Sequence, residues 1–403
     1  LVVMHRFPQE KIYDHMAETG TLPLEAMGPL TGAICELHSG ALRRLNPDRP
    51  VAALMRVLEE NEEAMAARPD FYEPERARDL AAMSREKARR LVALMRYRAR
   101  GGWVRHCHGD LHLKNIVEID GAPVLFDAIE FDDNVATVDV LYDLAFLLMD
   151  LWRRNMKRHA NRVLNGYVDC TSGTGTLAGL ATLPLFLSMR AMIRSKVEVL
   201  HSHGADGARE LALHYFALAQ EMIRPALPIL VAIGGLSGTG KTTVARDVAA
   251  DIGPVPGAVI LRSDVERKKL FGIPETERLG PEGYTSGITE TVYTILRKKA
   301  AQALAARHSV IVDAVHARQE ERAELEELAR RLGCKFSGMW LDGPVETLVE
   351  RVTARRGDAS DADADVVRGQ QGNVTGEITW KRIHAGGDRS ASAKAARALL
   401  VAR

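Results

Sequence analysis

Between residues 23 and 99 apolar side chains return at intervals of three and four, Leu54, Leu58, Met65, Leu80, Leu91 and Leu94 among them, which predicts a run of amphipathic helices. A short strand pair is expected over residues 103–107 and 116–126, turned at Asp120-Gly121. Residues 139–151 are strongly apolar and predict a buried helix, and residues 171–175 read as a flexible loop. Pro225 and Pro228 then end the helical rhythm. Beyond them short apolar runs at 229–233, 259–261, 310–312 and 336–341 alternate with helical segments, the signature of βαβ units and a parallel sheet. The expected fold is α+β: a mostly helical unit over 1–224, then an α/β domain with a doubly wound parallel sheet over 225–403.

Composition adds exclusions. Lys plus Arg number 54 against 53 acidic residues, so the formal charge is +1 and no global basic field marks a nucleic-acid or membrane-surface protein. Hydrophobic residues at 46% and charged residues at 27% suit a globular chain with a sizeable core rather than a disordered or fibrous one. Cys35, Cys107, Cys170 and Cys334 show no paired spacing and read as reduced thiols. No uninterrupted apolar run reaches the ~18 residues of a membrane helix, and no signal-peptide stretch follows the first residues. A cytoplasmic protein without a membrane partner is the expectation. The chain opens on Leu1 rather than methionine, which leaves room for upstream residues.

The strongest chemical signal is Gly235-Leu236-Ser237-Gly238-Thr239-Gly240-Lys241-Thr242, which fits G-x-x-x-x-G-K-[ST] at every fixed position. It follows the apolar run 229–233 and precedes a helix-like stretch from Thr243 to Ala250, the strand-loop-helix setting the motif requires. Glycines let backbone N–H groups face phosphates, and the following helix adds its positive end. Gly235, Ser237, Gly238, Thr239, Gly240, Lys241, Thr242 and Thr243 are therefore candidate ATP ligands. Lys241 is expected to neutralise the β- and γ-phosphates, and the Thr242 hydroxyl to coordinate Mg²⁺.

In open α/β sheets the carboxyl ends of strands face the ligand crevice. Asp264, at the end of the second run, is placed there to accept a hydroxyl proton, although the same Asp also suits a helix N-cap. Arg267, one helical turn on, is placed to screen the transferring phosphoryl. Asp313 ends the third run and is a candidate for the Mg²⁺ shell. Arg351, Arg355 and Arg356, ahead of Gly357, suit a lid closing over ATP, though a solvated helix face explains them nearly as well. The basic tail from Lys381 to Arg403 could touch a phosphate-bearing partner, but reads first as a solvated terminal helix.

A second constellation lies earlier. In His108-Gly109-Asp110-Leu111-His112-Leu113-Lys114-Asn115, Asp110 and Asn115 stand five apart, with Asp127 following after Phe126. This order is the catalytic-loop and metal-site logic of two-lobed phosphotransferases, with Asp110 as base and Asn115 and Asp127 as metal ligands. Asp139 and Asp143 read as braces for the loop, and His106, Cys107, His108 and His112 as structural residues, since strand alternation sends neighbours to opposite faces.

On these residues, 229–371 resembles the small phosphate-loop kinases, the group of gluconate kinase, polynucleotide kinase, chloramphenicol phosphotransferase and zeta-toxin-type enzymes. The matching segments are residues 235–242, Arg262-Ser263-Asp264 with Arg267-Lys268, Val312-Asp313-Ala314 and the lid arginines. The resemblance implies ATP-dependent phosphorylation of a hydroxyl on a small molecule or nucleic-acid end, with Asp264 as base and Arg267 as an acceptor-site ligand. Residues 1–220 resemble the aminoglycoside phosphotransferases, above all the branch fused to a phosphate-loop kinase. Ahead of Asp110, however, no glycine-rich turn appears, and Lys11 is the only lysine before Lys87. The resemblance thus covers the large lobe, with residues 1–4 like the last strand of the small one. Two other readings rest on the same residues: a nucleotide-dependent switch without phosphoryl transfer, and an antibiotic-type phosphotransferase working through Asp110.

Overall fold

The computed structural model describes residues 7–130, 132–171, 174–201, 206–224, 227–354, 359–372, 374–387 and 389–401. The chain divides into two compact units, Leu1–Pro225 and Ala226–Arg403.

The first unit is mainly helical. Pro74 opens helix Pro74–Arg100, where a missing N–H costs nothing. Its buried positions, Ala77, Leu80, Ala81, Ser84, Ala88, Leu91, Met95 and Arg98, keep the three- and four-residue spacing of one face. Four short strands accompany the helices: β1 (Val104–His106), β2 (Ile116–Ile119), β3 (Ala122–Leu125) and β4 (Thr137–Asp139). β2 and β3 form a hairpin whose turn residues Asp120 and Gly121 have φ of 51° and 77°. Such positive values at both positions fit the turn that matches strand twist. The strand over 103–107 does not join this hairpin. β1 instead pairs antiparallel with β4, Val104 opposite Asp139, a long-range pairing that no local turn announces.

At the end of β4, Asp139 caps helix Val140–Arg153, accepting from the Leu141 N–H at 2.9 Å. The same carboxylate receives a two-pronged ion pair from Arg98, at 2.6 and 2.7 Å, with Arg98 fully buried. A third bond runs from Arg98 to the Gly175 carbonyl, at 2.7 Å. The ion pair thus ties helix Pro74–Arg100 to the strand and helix that follow the polar loop.

Three expectations change here. Cys35 and Cys170 are joined in a disulfide between helices Met27–Gly40 and Lys157–Thr171, while Cys107 and Cys334 are free thiols. The fold brings together two cysteines 135 positions apart, which linear spacing cannot reveal. The stretch Gly175–Leu200 is long and apolar enough by length and composition to cross a bilayer, but 78% of its apolar window is buried within the unit. Helix Lys157–Thr171 also runs through the start of the expected 171–175 loop, and another begins at Thr174, with 172 and 173 outside the described residues.

The second unit is built on five parallel strands: β5 (Ile229–Gly235), β6 (Val259–Arg262), β7 (Val310–Asp313), β8 (Lys335–Asp342) and β9 (Lys381–His384), in spatial order β6-β7-β5-β8-β9. Leu230 to Gly235 are buried throughout, as a central strand covered on both faces must be. Because β5 lies between β7 and β8, the strand order reverses beside its carboxyl end. This is where an open α/β sheet leaves a ligand crevice. Val231, Ile233, Val244, Val248, Ile311, Met339 and Leu341 form the core beneath it.

The basic tail is not a solvated helix. Helix Arg389–Val401 buries Ala396 in that core and packs Leu399 and Leu400 against it, Ala393 is also buried, and Arg397 reaches Asp251 at 2.9 Å. Its alanine face was masked in the sequence by the surrounding cations.

The Arg98–Asp139 pair yields a stability prediction. Asp139→Ala leaves a buried guanidinium uncompensated and removes a helix cap, and is expected to cost about 3–5 kcal/mol. Urea unfolding followed by a probe in the first unit measures it; a cost under about 1 kcal/mol would contradict the pair's role.

Candidate functional site

β5 ends in a turn that only glycine can make. Gly235 has φ of 134°, and a Cβ there would lie 2.3 Å from the Leu341 carbonyl oxygen. At Gly238, φ is 87° and a Cβ would stand 2.6 Å from the Leu348 carbonyl oxygen. The loop therefore lies directly on the backbone of its neighbours. Gly240, in the left-handed region, is the residue before helix Lys241–Val248, so that helix starts at the open end of the loop.

Several polar groups of the loop have partners within the chain. Lys241 Nζ donates to the Leu236 carbonyl at 3.0 Å, and the Thr239 hydroxyl to the same oxygen at 2.8 Å. The Ser237 N–H donates to Gln370 Oε1 at 2.8 Å. Thr242 Oγ1 donates to Asp313 Oδ2 at 2.6 Å, so the two proposed metal residues of this unit are adjacent. Thr243 stands in the first turn of the helix.

At the neighbouring strand ends, Arg262 Nε lies 3.7 Å from Asp313 Oδ2. Burial pushes the Asp264 carboxyl above the ordinary carboxylate range and the nearby Asp313 charge pushes the same way, while Arg262, Lys241 and a hydrogen bond from Ser360 pull it back. Asp264 lies within the first turn of helix Ser263–Phe271, whose capping position is Arg262, so the N-cap role falls away. Arg267 is buried, with one guanidinium nitrogen donating to the Gly283 carbonyl at 2.6 Å and the group stacked 4.9 Å from the Tyr284 ring centre. Among the described residues its buried Nε has no hydrogen-bond partner.

The lid residues divide. Arg351 donates to the carbonyls of Ala385 and Gly387, at 2.6 and 2.9 Å, and so braces the turn after β9. Arg355 and Arg356 lie outside the described residues. Sequence reasoning passed over Asp361 in the same segment. Its carboxylate receives Lys268 Nζ at 3.0 Å, the Leu279 N–H at 3.0 Å and the Tyr284 hydroxyl at 2.7 Å. These three bonds hold its carboxyl below the usual range despite burial, and burial together with the partner acid pushes the Tyr284 hydroxyl up. Only the run of acids at 358–363 could have signalled it. Nothing local signalled Gln370.

In the first unit the loop after β1 is held from beneath. Asp143, fully buried, accepts from the His108 and Gly109 N–H groups at 3.3 and 2.8 Å and pairs with His38 Nε2 at 3.1 Å. His38 Nδ1 in turn meets the Tyr167 hydroxyl at 2.8 Å. Both ring nitrogens of His38 are thus engaged, and the grouping of His38, Cys107 and Asp143 is a filled polar core rather than a vacant cation cage. Burial also pushes the Cys107 thiol well up, which keeps it protonated.

Above this brace, Asn115 Nδ2 donates to Asp110 Oδ2 at 3.0 Å and His112 Nε2 lies 3.3 Å from the same oxygen. Burial raises the Asp110 carboxyl, but His112 and Asn115 more than offset it and hold it low. Asp127 is exposed, in the left-handed region with φ of 59°. Asp110 and Asn115 are therefore brought together, whereas among the described residues no hydrogen bond or ion pair joins Asp127 to them. His108 Nε2 donates to the Phe126 carbonyl oxygen at 2.9 Å, so the loop and the end of β3 are tied through that histidine.

A family model of AAA domains matches residues 230–376, and with the loop and the parallel sheet this makes the segment a P-loop domain. Over 401 residues the chain is 29% identical to uncharacterized proteins of Mycobacterium tuberculosis and Mycobacterium bovis, spanning 97% of this chain and 79% of theirs. Among solved structures, a gluconokinase from Sinorhizobium meliloti is 22% identical, covering 44% of this chain and 93% of its own, with a TM-score of 0.33. An APS kinase of Mycobacterium tuberculosis in complex with AMPPNP and APS is 20% identical over 44% of this chain and 99% of its own, with a TM-score of 0.31.

The backbone approach at Gly238 is directly testable. Gly238→Ala forces both a disfavoured φ and a clash with Leu348, and should cost about 1–3 kcal/mol. Thermal unfolding of the P-loop domain is the readout, and an unchanged midpoint would contradict the close approach.

Proposed function

We propose that the P-loop domain is an ATP-dependent kinase that transfers the γ-phosphoryl group to a hydroxyl of a small molecule or of a nucleic-acid end. The observation that carries this reading is the placement, at the carboxyl ends of adjacent strands β6, β7 and β5, of the glycine loop, Lys241, the Thr242–Asp313 bond and the partly buried acid Asp264. A bare switch needs the first three; an acid with a raised pKa beside them suits a general base.

In the proposed reaction the acceptor oxygen bonds to the γ-phosphorus as the bond to the β,γ-bridging oxygen breaks, and ADP leaves with that electron pair. The acceptor proton passes to a carboxylate oxygen of Asp264. Loop N–H groups and Lys241 offset charge on the phosphates. Thr242 and Asp313, two hard oxygen donors already 2.6 Å apart, are the residues that would hold Mg²⁺. The ion would neutralise phosphate charge there. Arg267 keeps its Nε for the acceptor side, since only one arm of the group is spent on Gly283 and Thr289.

The Asp110–Asn115 pair supports a second reading, in which the first unit is a phosphotransferase-like large lobe with Asp110 as its own base. Asn115, with Asp127, would then hold a metal ion. The lowered carboxyl pKa of Asp110 makes it a weaker base than Asp264, which favours the P-loop domain as the site of transfer.

ATP turnover across sugars, aminoglycosides, nucleosides and 5′-hydroxyl oligonucleotides tests the assignment. Lys241→Ala should lower kcat/KM by about 10²–10³-fold on any accepted substrate. Asp264→Asn should lower kcat by about 10²–10⁴-fold while ATP binding stays; a switch without transfer would be indifferent to it. Loss of turnover in Asp110→Asn with none in Lys241→Ala would move the reaction to the first unit.

The pH dependence follows from the raised Asp264 pKa. A base works deprotonated, so kcat/KM should fall as pH drops through that value, and the acid limb should lie above the ~3.9 of a free aspartate. A limb at or below the free value would contradict Asp264 as base.

A further inference from the structure

The Ser237 amide is one of the loop's N–H groups, the type of donor that such loops turn toward phosphate oxygens. In this chain its partner is the side-chain oxygen of Gln370, 133 positions away in sequence. We infer that Gln370 is a built-in stand-in for a phosphate oxygen, holding the loop in a self-liganded state that nucleotide must displace. This rests on the proposed nucleotide site and adds a mode of regulation to it.

Three observations carry the inference. First, the contact is placed by packing rather than by a wandering side chain. Helix Ala364–Gly372 buries Val367 completely against Leu348 and Val352 of helix Val345–Ala354, and Leu236 of the loop packs on the same cluster. Second, the start of helix Ala364–Gly372 is fixed, because Asp363 Oδ1 accepts from the Asp365 and Val366 N–H groups at 3.1 and 3.0 Å. Gln370 thus reaches the loop from an anchored helix. Third, the loop's cation is engaged in the same manner: Lys241 Nζ donates to the Leu236 carbonyl, the residue before Ser237.

The physical logic is one of replacement. An N–H in a buried loop left without an acceptor costs free energy. A neutral carboxamide oxygen satisfies it more weakly than an anionic oxygen does. Gln370 is therefore strong enough to order the empty loop and weak enough to yield to a polyphosphate. Its departure would release helix Ala364–Gly372 from the loop and leave it tethered by Val367, so the presence of nucleotide would be read out in the segment that also contains Asp361. Asp361 ties that segment to Lys268 and Tyr284, on the side of Arg267.

Calorimetric titration of Mg·ADP into the full chain, beside hydrogen exchange at the Ser237 amide in the nucleotide-free chain, tests the inference. Gln370→Ala removes the competitor and should tighten Mg·ADP by roughly 2- to 10-fold while speeding exchange at Ser237. Gln370→Glu places an anion at the same amide and should weaken Mg·ADP by roughly 10-fold or more. If Gln370→Ala binds Mg·ADP equally or more weakly than the parent, or if Ser237 exchange does not change, the stand-in is refuted and the nucleotide site is untouched. If neither parent nor variants take up Mg·ADP, the nucleotide reading fails and the inference falls with it.

Discussion

The second unit depends on how closely one backbone can lie upon another. Between Gly235 and the Leu341 carbonyl, and between Gly238 and Leu348, there is no room for even a β-carbon. That approach draws the loop back over the end of β5 and leaves its N–H groups and the start of helix Lys241–Val248 at the reversal of strand order. The residues that would meet a phosphate are consequently placed by contacts made entirely below them. Leu341 and Leu348 belong to β8 and the helix after it, so the cradle cannot form before the fourth strand is laid beside the first.

A second theme is internal satisfaction. Lys241, Thr242, Ser237, Lys268 and Asp361 all have partners within the chain, and none stands as a bare charge in a groove. Buried polar groups without partners would be costly, so a site that awaits a ligand must lend its donors elsewhere meanwhile. Loans of this kind are reversible when the partner is a carbonyl or carboxamide. The Asp361 cluster is of another type: three groups converge on one carboxylate, and the ion pair with Lys268 is almost fully buried.

How much was visible in the residues alone follows from distance along the chain. The phosphate loop is written in eight consecutive positions and its flanking strand and helix in their neighbours, so motif and setting are legible together. Asp110 and Asn115 are likewise close in sequence, and the fold brings them into contact. What stayed hidden is long-range. The pairing of β1 with β4, the Arg98–Asp139 ion pair, the Cys35–Cys170 link and the reach of Gln370 to Ser237 join positions far apart, with no local pattern to announce them. Arg351 is a further case: the two backbone carbonyls that accept from this lid cation lie more than thirty positions on, where no local pattern points to them.

Which cleft accepts a nucleotide is the question on which the account turns, and a crystal of the full chain grown with a non-hydrolysable ATP analogue and Mg²⁺ answers it. The account predicts phosphate density cupped by residues 235–242, with the metal beside Thr242 and Asp313. Density for the triphosphate beside Asp110 and Asn115, with the glycine loop empty, would contradict it.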